Sequence, residues 1–381
     1  MGTQKISLTD RYDLEKSPVL LNGTQALVRL TMMQAARDKA AGLNTAGYVT
    51  GYRGSPLGAV DLQMDRAAKT LAAHNVVFEP GLNEDLAATA LWGSQQAELR
   101  GEGKYDVVFG LWYGKGPGVD RSGDVMRHAN MAGSSVNGGV LMAMGDDHTG
   151  ESSTVLHQSE WAMVDAYMPV VSPAGVQEIL DYGIYGWGLS RFSGLWVGLK
   201  TMKDTVEATS VVNGDSNRMK LITPEFDMPD GGLSIRLGDT PHLQEARMID
   251  YKRFAAEAFS HANKMDKRMW GKSGAKIGIA AAGKNWLDVI HAMSLLNIDE
   301  NQAERLGITL YKIGQTFPLD MKGFHEWAEG LDLVIVVEEK RKLIEVQIKE
   351  ALFSDTHRRV YGWHKGGGAG MEHGEELFPT R

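Results

Sequence analysis

Residues 79–93, Glu-Pro-Gly-Leu-Asn-Glu-Asp-Leu-Ala-Ala-Thr-Ala-Leu-Trp-Gly, place an acidic residue, Glu84, where an apolar strand gives way to a helix rich in small residues. Residues 76–78, Val-Val-Phe, have the apolar character of a buried parallel strand. Asn83 is suited to cap the helix, which puts Glu84 in its first turn. On one interpretation Glu84 only complements the helix dipole, for less than about 1 kcal/mol. On the other, its carboxylate is presented to a ligand.

A second loop with the same placement lies earlier in the chain. Residues 50–58, Thr-Gly-Tyr-Arg-Gly-Ser-Pro-Leu-Gly, also follow a short apolar segment and also open a helix. Ligands of open α/β sheets bind outside the carboxyl ends of the strands, so we expect the two loops to line one crevice. Gly54 would let backbone amides approach a ligand, and Pro56 would stiffen the loop.

Strand-like and helical segments alternate along the chain, which predicts an α/β fold built on parallel sheets. Apolar runs with helical segments between them predict six strands in the first half: 47–50, 75–79, 106–112, 139–145, 168–172 and 194–200. The first helix is expected to begin after a cap at Asn22 and to end before Gly42.

The alternation stops after about residue 210 and then resumes, which predicts two domains. Turn-forming residues are frequent in 213–245. The later pattern predicts strands at 276–283, 308–312 and 333–337 and helices at 246–268, 285–297 and 340–353. We therefore predict a larger domain over 1–212, a linker over 213–245, a smaller α/β domain over 246–355 and a tail over 356–381.

Composition excludes several classes of protein. The chain has 381 residues and a formal charge of −8 without a basic stripe, which argues against a nucleic-acid partner. The densest cationic run, 340–342, is expected to be a solvated face. Neither a run of about 18 apolar residues nor a signal-like N-terminus occurs, so we expect no membrane partner and a cytoplasmic location. Zero cysteines exclude disulfides and thiolate-bound clusters within these residues.

Four motifs follow one another in an order that carries a resemblance. They are Tyr-Arg-Gly-Ser-Pro, Asn-Glu-Asp-Leu-Ala, Gly-Lys-Gly-Pro-Gly and Gly-Asp-Asp-His-Thr-Gly-Glu-Ser-Ser, at 52–56, 83–87, 114–118 and 145–153. In this order they resemble the thiamine-diphosphate-dependent 2-oxoacid:ferredoxin oxidoreductases, most of all the N-terminal part of the fused bacterial indolepyruvate ferredoxin oxidoreductases. The resemblance implies a thiamine-diphosphate-binding parallel-sheet domain of the pyrimidine type, followed by a smaller α/β domain like the C-terminal domain of transketolase.

The resemblance also implies roles for residues beside the cofactor. Glu84 would hydrogen-bond the aminopyrimidine ring of thiamine diphosphate and drive the tautomer with which the cofactor removes its own proton. Partial burial would strengthen such a charge-assisted bond. Gly114, Lys115 and Gly116 would lie beside the thiamine ring, the alternative being a glycine-rich crossover without a ligand. Their segment lacks the spacing of a phosphate-binding loop.

Four residues are candidates for the substrate side. Arg53, Gly54 and Ser55 resemble the segment that meets the 2-oxoacid, with the Ser55 hydroxyl directed at its carboxylate and carbonyl. Arg53 stands where the family more often has proline, and it either binds a carboxylate or caps the surface. Arg121 is a further candidate for carboxylate binding, with a structural salt bridge as the alternative. We predict no metal site, although 146–148 carries two carboxylates and an imidazole.

The implied activity is oxidative decarboxylation of a 2-oxoacid, indolepyruvate or a related aryl or branched-chain pyruvate, to an acyl-CoA with ferredoxin as electron acceptor. The chain lacks the Gly-Asp-Gly motif with a distant Asn that anchors the diphosphate in such enzymes. We therefore expect the diphosphate site, its Mg²⁺ and the iron-sulfur clusters to lie further along a longer polypeptide or on a partner chain, in a homodimer.

Two alternatives are open: a non-catalytic scaffold or dimerisation subunit, and a nucleotide-dependent enzyme resembling acyl-CoA synthetases. Trp92, Trp112 and Tyr113 either line an aromatic pocket or fill the core, and the core is the preferred interpretation.

Overall fold

The computed structural model describes residues 7–151, 155–352 and 359–361. Its strands are β1 Val19–Asn22, β2 Thr45–Gly51, β3 Val76–Phe78, β4 Val107–Lys115, β5 Val140–Asp146, β6 Val170–Val171, β7 Val197–Met202, β8 Thr209–Val212, β9 Lys267–Trp270, β10 Ile277–Ala282, β11 Ile308–Ile313, β12 Gln315–Phe317, β13 Leu333–Val337 and β14 Arg359–Tyr361. Its helices are α1 Gly23–Ala40, α2 Val60–Ala73, α3 Glu84–Ser94, α4 Gly116–Arg121, α5 Gly123–Ala132, α6 Glu160–Asp165, α7 Val176–Ser193, α8 Lys203–Val206, α9 Pro241–Arg247, α10 Arg253–Asn263, α11 Gly283–Leu295, α12 Glu300–Arg305, α13 Met321–Ala328 and α14 Ile344–Ala351.

Two mostly parallel sheets form the centre of the fold, which confirms the predicted α/β class. The seven-stranded sheet has the order β12-β6-β7-β5-β4-β2-β3, and the five-stranded sheet has the order β14-β13-β10-β11-β9. A separate antiparallel ribbon pairs β1 with β8. All the strands predicted from apolar runs are present, because continuous apolar segments are what a sheet covered on both faces requires. The short strands β1, β8, β9, β12 and β14 were not predicted, and β14 lies in the range predicted to be the tail.

The first helix begins as predicted. The Asn22 side chain accepts from the backbone N–H of Gln25 at 2.8 Å, and the Gln25 side chain accepts from the backbone N–H of Asn22 at 3.1 Å. This reciprocal capping box satisfies two donors that the first turn leaves free. Gly42, just beyond the end of α1, has a φ of 79°, a conformation that glycine adopts at little cost.

The helix predicted over 246–268 is present, but its bounds differ. The helical segment begins earlier, because the Thr240 hydroxyl caps the first turn and Pro241 is pre-organised for it. It continues through a π-helical turn at Met248–Lys252 and ends at Asn263, where Lys264 takes a left-handed conformation. The chain then reverses into β9, which pairs antiparallel with β11.

The helix predicted over 340–353 begins only at Ile344. Lys340 has a φ of 73°, which ends any regular structure that would run on from β13. Both carboxylate oxygens of Glu338 then accept from the first backbone N–H groups of α14, including that of Ile344 at 2.7 Å. Burial raises the pKa of this carboxyl to about 7.

The cationic run 340–342 is only in part the solvated face that was predicted, because Arg341 is exposed while Lys340 and Lys342 are half-buried. The Lys340 ammonium donates to the backbone carbonyl of His148 at 3.3 Å, and the Arg341 guanidinium donates to the Gln158 side chain at 3.4 Å. Both acceptors lie between β5 of the seven-stranded sheet and α6. The run therefore joins the two halves of the molecule.

Strand β12 makes a second connection between the halves. It lies in the range predicted for the smaller domain, yet it pairs with β6 and forms the edge of the seven-stranded sheet. Side chains reinforce the connection, because the Tyr185 hydroxyl donates to the Gln315 amide oxygen at 2.8 Å. The Thr316 hydroxyl also donates to the Glu160 carboxylate at 3.1 Å.

Large aromatic side chains fill the core of the seven-stranded sheet. Trp112, Tyr113, Trp187 and Trp196 are fully buried, whereas Trp92 is half-buried and stacks on the ring of His128. Trp112 and Tyr113 are therefore core residues, the preferred interpretation of the sequence. Within the ranges described, no helix combines the length and apolar character needed to span a membrane.

Candidate active site

The four sequence motifs meet at one edge of the seven-stranded sheet. Strands β2 to β5 run parallel, so the loops that follow them share the carboxyl edge. Two backbone bonds fasten the loops there: the Tyr52 N–H donates to the Tyr113 carbonyl at 3.0 Å, and the Gly81 N–H donates to the Gly51 carbonyl at 2.8 Å. The loops thus meet at the carboxyl edge, as the topology of the strands predicts.

Glu84 is the first residue of α3, and three contacts fix its position. The Asn83 side chain caps the helix by accepting from the Leu86 N–H at 2.9 Å. The indole N–H of Trp112 donates to the Glu84 backbone carbonyl at 3.0 Å. A methyl group placed on Gly118 would lie 2.4 Å from the Glu84 Cγ, so only glycine leaves room for this side chain.

The Glu84 carboxylate interacts electrostatically with Arg121 but forms no hydrogen bond with another residue in the part of the chain that the structure describes. The residue is half-buried, and within the described part of the chain no hydrogen bond or ion pair of the carboxylate involves another residue. Its backbone is therefore held firmly while its two oxygens are available. An acid of this kind can accept or share a proton with a bound molecule.

The predicted cofactor-side residues adjoin the predicted substrate loop. Strand β4 ends at Lys115, and α4 begins at Gly116. A methyl group on Gly54 would lie 2.9 Å from the Lys115 side chain, so the loop after β2 packs directly against the end of β4. Pro56 in the same loop lies against Gly145 at the end of β5. The structure thus brings the first, third and fourth motifs into contact.

The predicted substrate-side residues differ in how free they are. Arg53 and Ser55 are exposed on the loop after β2, and Gly54 is half-buried. Arg121 donates from Nε to the Asp85 carboxylate at 2.7 Å, and this pair lowers the pKa of Asp85. The geometry is that of the structural salt bridge considered from the sequence. The pair is largely exposed, and such surface pairs contribute little to stability.

A buried polar cluster lies under the crevice, at the end of β5. Asp146 is fully buried, and both the N–H and the hydroxyl of Ser159 donate to its carboxylate, the hydroxyl at 2.5 Å. The rings of His157 and His148 lie 3.7 and 3.8 Å from its oxygens. Burial alone would raise the pKa of Asp146, but the two imidazoles and the Lys200 ammonium hold it well below its usual range.

The cluster extends in two directions. Outward, the His157 Nε2 lies 2.7 Å from the Asp120 carboxylate on α4. Inward, the His148 Nδ1 lies 3.3 Å from the Glu339 carboxylate, just beyond β13. Burial alone would lower the pKa of His157, but the Asp146 and Asp120 carboxylates raise it above its ordinary value. The cluster therefore connects the five-stranded sheet with the crevice.

Sequence reasoning missed three residues of this site. Nothing in the sequence distinguished Trp112, whose indole fixes Glu84, from other core aromatics. His157 and Asp120 are far apart in the chain and belong to no motif used for the resemblance. Ser152 and Ser153, from the fourth motif, lie outside the described residues.

A separate cavity of about 760 Å³ lies at the opposite edge of the sheet, beside the amino ends of β2 and β3. Thr45 and Asn75 are among its lining residues, and none of the predicted site residues is.

Comparison with known proteins supports the resemblance drawn from the motifs. Residues 267–381 match the family described as the indolepyruvate oxidoreductase domain. The indolepyruvate oxidoreductase subunit IorA of Pyrococcus abyssi is 25% identical over 380 residues, covering 97% of this chain and 51% of its own length. The same subunit of Methanothermobacter thermautotrophicus is 22% identical over 348 residues, covering 90% and 52%. The chain thus spans about half the length of these relatives.

Solved structures agree in fold. A 2-oxoglutarate:ferredoxin oxidoreductase from Magnetococcus marinus superposes with a TM-score of 0.62 at 15% identity, covering 92% of this chain and 63% of its own. A split-gene transketolase, described as an inactive β4 tetramer, gives 0.53 at 12% identity, covering 89% and 88%. The predicted resemblance to the indolepyruvate oxidoreductases and the predicted fold are confirmed.

Proposed function

We propose that this chain, a relative of the indolepyruvate oxidoreductase subunits, supplies the pyrimidine-side half of a thiamine diphosphate site. The complete enzyme would oxidatively decarboxylate a 2-oxoacid, indolepyruvate or a related aryl or branched-chain pyruvate, to an acyl-CoA, with ferredoxin as electron acceptor. One observation carries the proposal. The Glu84 carboxylate is available at the carboxyl edge of the sheet, while Trp112 and Gly118 fix the residue that bears it.

The residues present fit the pyrimidine side of the cofactor. An aminopyrimidine needs a fixed carboxylate beside it. The Glu84 carboxylate has no hydrogen-bond partner among the described residues, so it can bind such a ring. When bound, thiamine diphosphate supplies a nucleophilic carbon and a sink for the electrons left by decarboxylation. Glu84 would hold a proton shared with the pyrimidine ring. The backbone at Gly114, Lys115 and Gly116 would lie beside the cofactor, at the point where β4 ends and α4 begins.

The loop after β2 is proposed to meet the substrate. Ser55 and Arg53 are exposed there, and the Ser55 hydroxyl can donate to a carboxylate or carbonyl oxygen. The Arg53 guanidinium and the Gly54 backbone N–H could each bind the substrate carboxylate. Arg121 would serve the same purpose only after leaving Asp85, which is an exposed and weak partner.

The remaining cofactor sites of the complete enzyme are proposed to lie outside these residues. The diphosphate site with its Mg²⁺ and the iron-sulfur clusters would belong to another region of a longer chain or to a partner chain. CoA and ferredoxin would meet the assembled enzyme, which we propose to be a cytoplasmic homodimer.

The test is an assay of the native enzyme, assembled with every chain that co-purifies with this one. We expect ferredoxin reduction that depends on a 2-oxoacid, on CoA and on thiamine diphosphate, with indolepyruvate among the active substrates of a panel. Saturable binding of a dinucleotide, with no reduction by any 2-oxoacid, would favour the synthetase-like alternative. Inactivity together with the absence of binding to thiamine diphosphate would favour a scaffold.

A further inference from the structure

We infer that His157 is a positioning residue, which holds helix α4 in place by linking the Asp120 carboxylate on that helix to the buried Asp146 at the end of β5. The consequence for cofactor binding rests on the proposed function, whereas the mechanical role does not. Nothing in the sequence motifs pointed to this histidine. Its role follows from its contacts.

Helix α4 needs anchors because it is short. It spans only Gly116–Arg121, and isolated helices of such length are not stable in water. Its position matters because Gly118 provides the surface on which the Glu84 side chain rests. The Ser122 hydroxyl donates to the Gly118 carbonyl within the helix. Side chains that leave the helix anchor it to the rest of the protein: Val119 is buried in the core, and Asp120 and Arg121 make polar contacts.

His157 supplies the buried anchor. Its side chain is 10% exposed, whereas that of its partner Asp120 is 61% exposed, so the fixed member of the pair is the histidine. The Nε2–Oδ2 distance of 2.7 Å is that of a strong, charge-assisted hydrogen bond. The ring also touches the start of the helix, because a methyl group on Gly116 would lie 2.2 Å from the ring. One side chain thus fixes α4 by a bond and by contact.

The opposite side of the ring faces a rigid support. The His157 Nδ1 lies 3.3 Å from the Ser159 hydroxyl and 3.7 Å from the Asp146 carboxylate, which belongs to a central strand. The backbone N–H of His157 donates to the Asp147 carbonyl at 3.3 Å. By comparison, the second anchor, Arg121 to Asp85, is exposed on both sides. Among the polar contacts of α4, we therefore assign the larger share of the restraint to His157.

The experiment is hydrogen–deuterium exchange of the assembled enzyme without added cofactor, read from the peptide that covers α4 and Ser122. His157→Phe keeps a flat ring but removes both ring nitrogens, and we expect protection of this peptide to fall roughly tenfold. His157→Gln retains one donor for Asp120 and should restore part of it. The peptide of α1 serves as the internal reference for global stability.

Two further variants keep the test decisive. Asp120→Ala changes an exposed residue, so this variant should fold. It should reproduce the loss of protection seen in His157→Phe. The double variant of His157→Phe and Asp120→Ala should lose no more protection than either single variant. His128→Phe is the matched control, since its ring faces Asp124 at 3.6 Å on an exposed surface. Unchanged protection of α4 in both His157→Phe and Asp120→Ala would overturn the inference, as would equal losses in His128→Phe.

A second measurement separates the inference from the proposed function. We expect the Kd for thiamine diphosphate to rise about tenfold in Asp120→Ala and to recover in part in Asp120→Asn, whose amide oxygen can still accept from His157. If the wild-type enzyme does not bind thiamine diphosphate but α4 still loses protection, the proposed function fails and the positioning role stands. If the wild-type enzyme binds thiamine diphosphate but the variants leave the protection of α4 unchanged, the positioning role fails and the proposed function stands.

Discussion

The indole N–H of Trp112 donates to the backbone carbonyl of Glu84 at 3.0 Å, so a fully buried tryptophan on β4 fixes the acid that begins α3. The acid begins the helix that follows β3, the tryptophan lies on β4, and both strands pair with β2. Because the bond is made to the backbone, the carboxylate is left available. Trp112 therefore holds the Glu84 backbone, while the Glu84 carboxylate is left for a bound molecule.

Glu84→Gln is the most direct test of the site. The amide keeps the size of the side chain but cannot share a proton, so turnover of the assembled enzyme should fall at least about 100-fold, as for other lost catalytic partners. The free energy of unfolding should change little, because the Glu84 carboxylate forms no hydrogen bond with the residues that the structure describes. Steady-state ferredoxin reduction and urea unfolding measure the two effects. Glu79→Gln, in the same loop region, is the control, and near-normal turnover in Glu84→Gln would remove the assignment.

Trp112→Phe should weaken both the fold and the site. The Glu84 carbonyl would lose its donor, and the core would lose volume, at a cost of about 2–4 kcal/mol in the free energy of unfolding. Trp196→Phe is a matched control, because Trp196 is equally buried but its indole N–H has no hydrogen-bond partner among the described residues. Turnover measured well below the unfolding transition should fall in Trp112→Phe alone. Equal effects of the two variants on turnover would contradict the role of the bond.

Gly118→Ala should displace the Glu84 side chain. The added methyl group would meet Cγ at 2.4 Å and a carboxylate oxygen at 2.8 Å, so the acid must move. We expect weaker cofactor binding and at least tenfold slower turnover, the penalty expected when a positioned group shifts by a fraction of an ångström. Gly93→Ala is the control, since a methyl group there has open space and should stabilise α3 by about 0.5–1 kcal/mol. A fully active Gly118→Ala enzyme would disprove the contact.

Asp266 should make stability depend on pH. Burial raises its pKa to about 7 although the backbone N–H groups of Gly314 and Gln315 donate to it at 2.8 and 3.0 Å. A carboxyl whose pKa is higher in the folded state binds its proton more tightly there, so its contribution favours the fold below about pH 4. That contribution is lost as the pH rises towards 7.

The measurement is the urea midpoint of wild type and Asp266→Asn between pH 4 and pH 8. The asparagine can still accept both bonds through its amide oxygen but does not titrate. The difference in stability between the two proteins should therefore move in favour of Asp266→Asn as the pH rises, by no more than roughly 2–4 kcal/mol. A difference that stays constant across this range would show that Asp266 keeps an ordinary pKa.

The sequence was informative where one residue type has one local use. Asn22 and Asn83 were expected to cap helices and do so, because an Asx side chain before a helix has few other roles. The strands of the two sheets were visible because buried parallel strands need unbroken apolar runs. The position of Glu84 followed from these two signals together.

The sequence was uninformative where the same pattern serves two environments. The sequence of 340–342 has the character of a solvated cationic segment. In the structure, Lys340 and Arg341 hydrogen-bond to His148 and Gln158, which follow β5. Three-residue strands such as β12 are too short for an alternation of apolar and polar residues to be recognised in the sequence. The role of His157 depends on Asp120 and Asp146, whose proximity only the folded chain creates.

Strand β12 has a mechanical consequence. A strand shared between two halves transmits force through its backbone, so Gln315 cannot leave the edge of the larger sheet without breaking the pairing with Val171 and the bond from Tyr185. The two sheets should therefore tumble and flex as one stiff body. A hinge between the two halves of this chain is therefore not expected, because it would have to break this pairing.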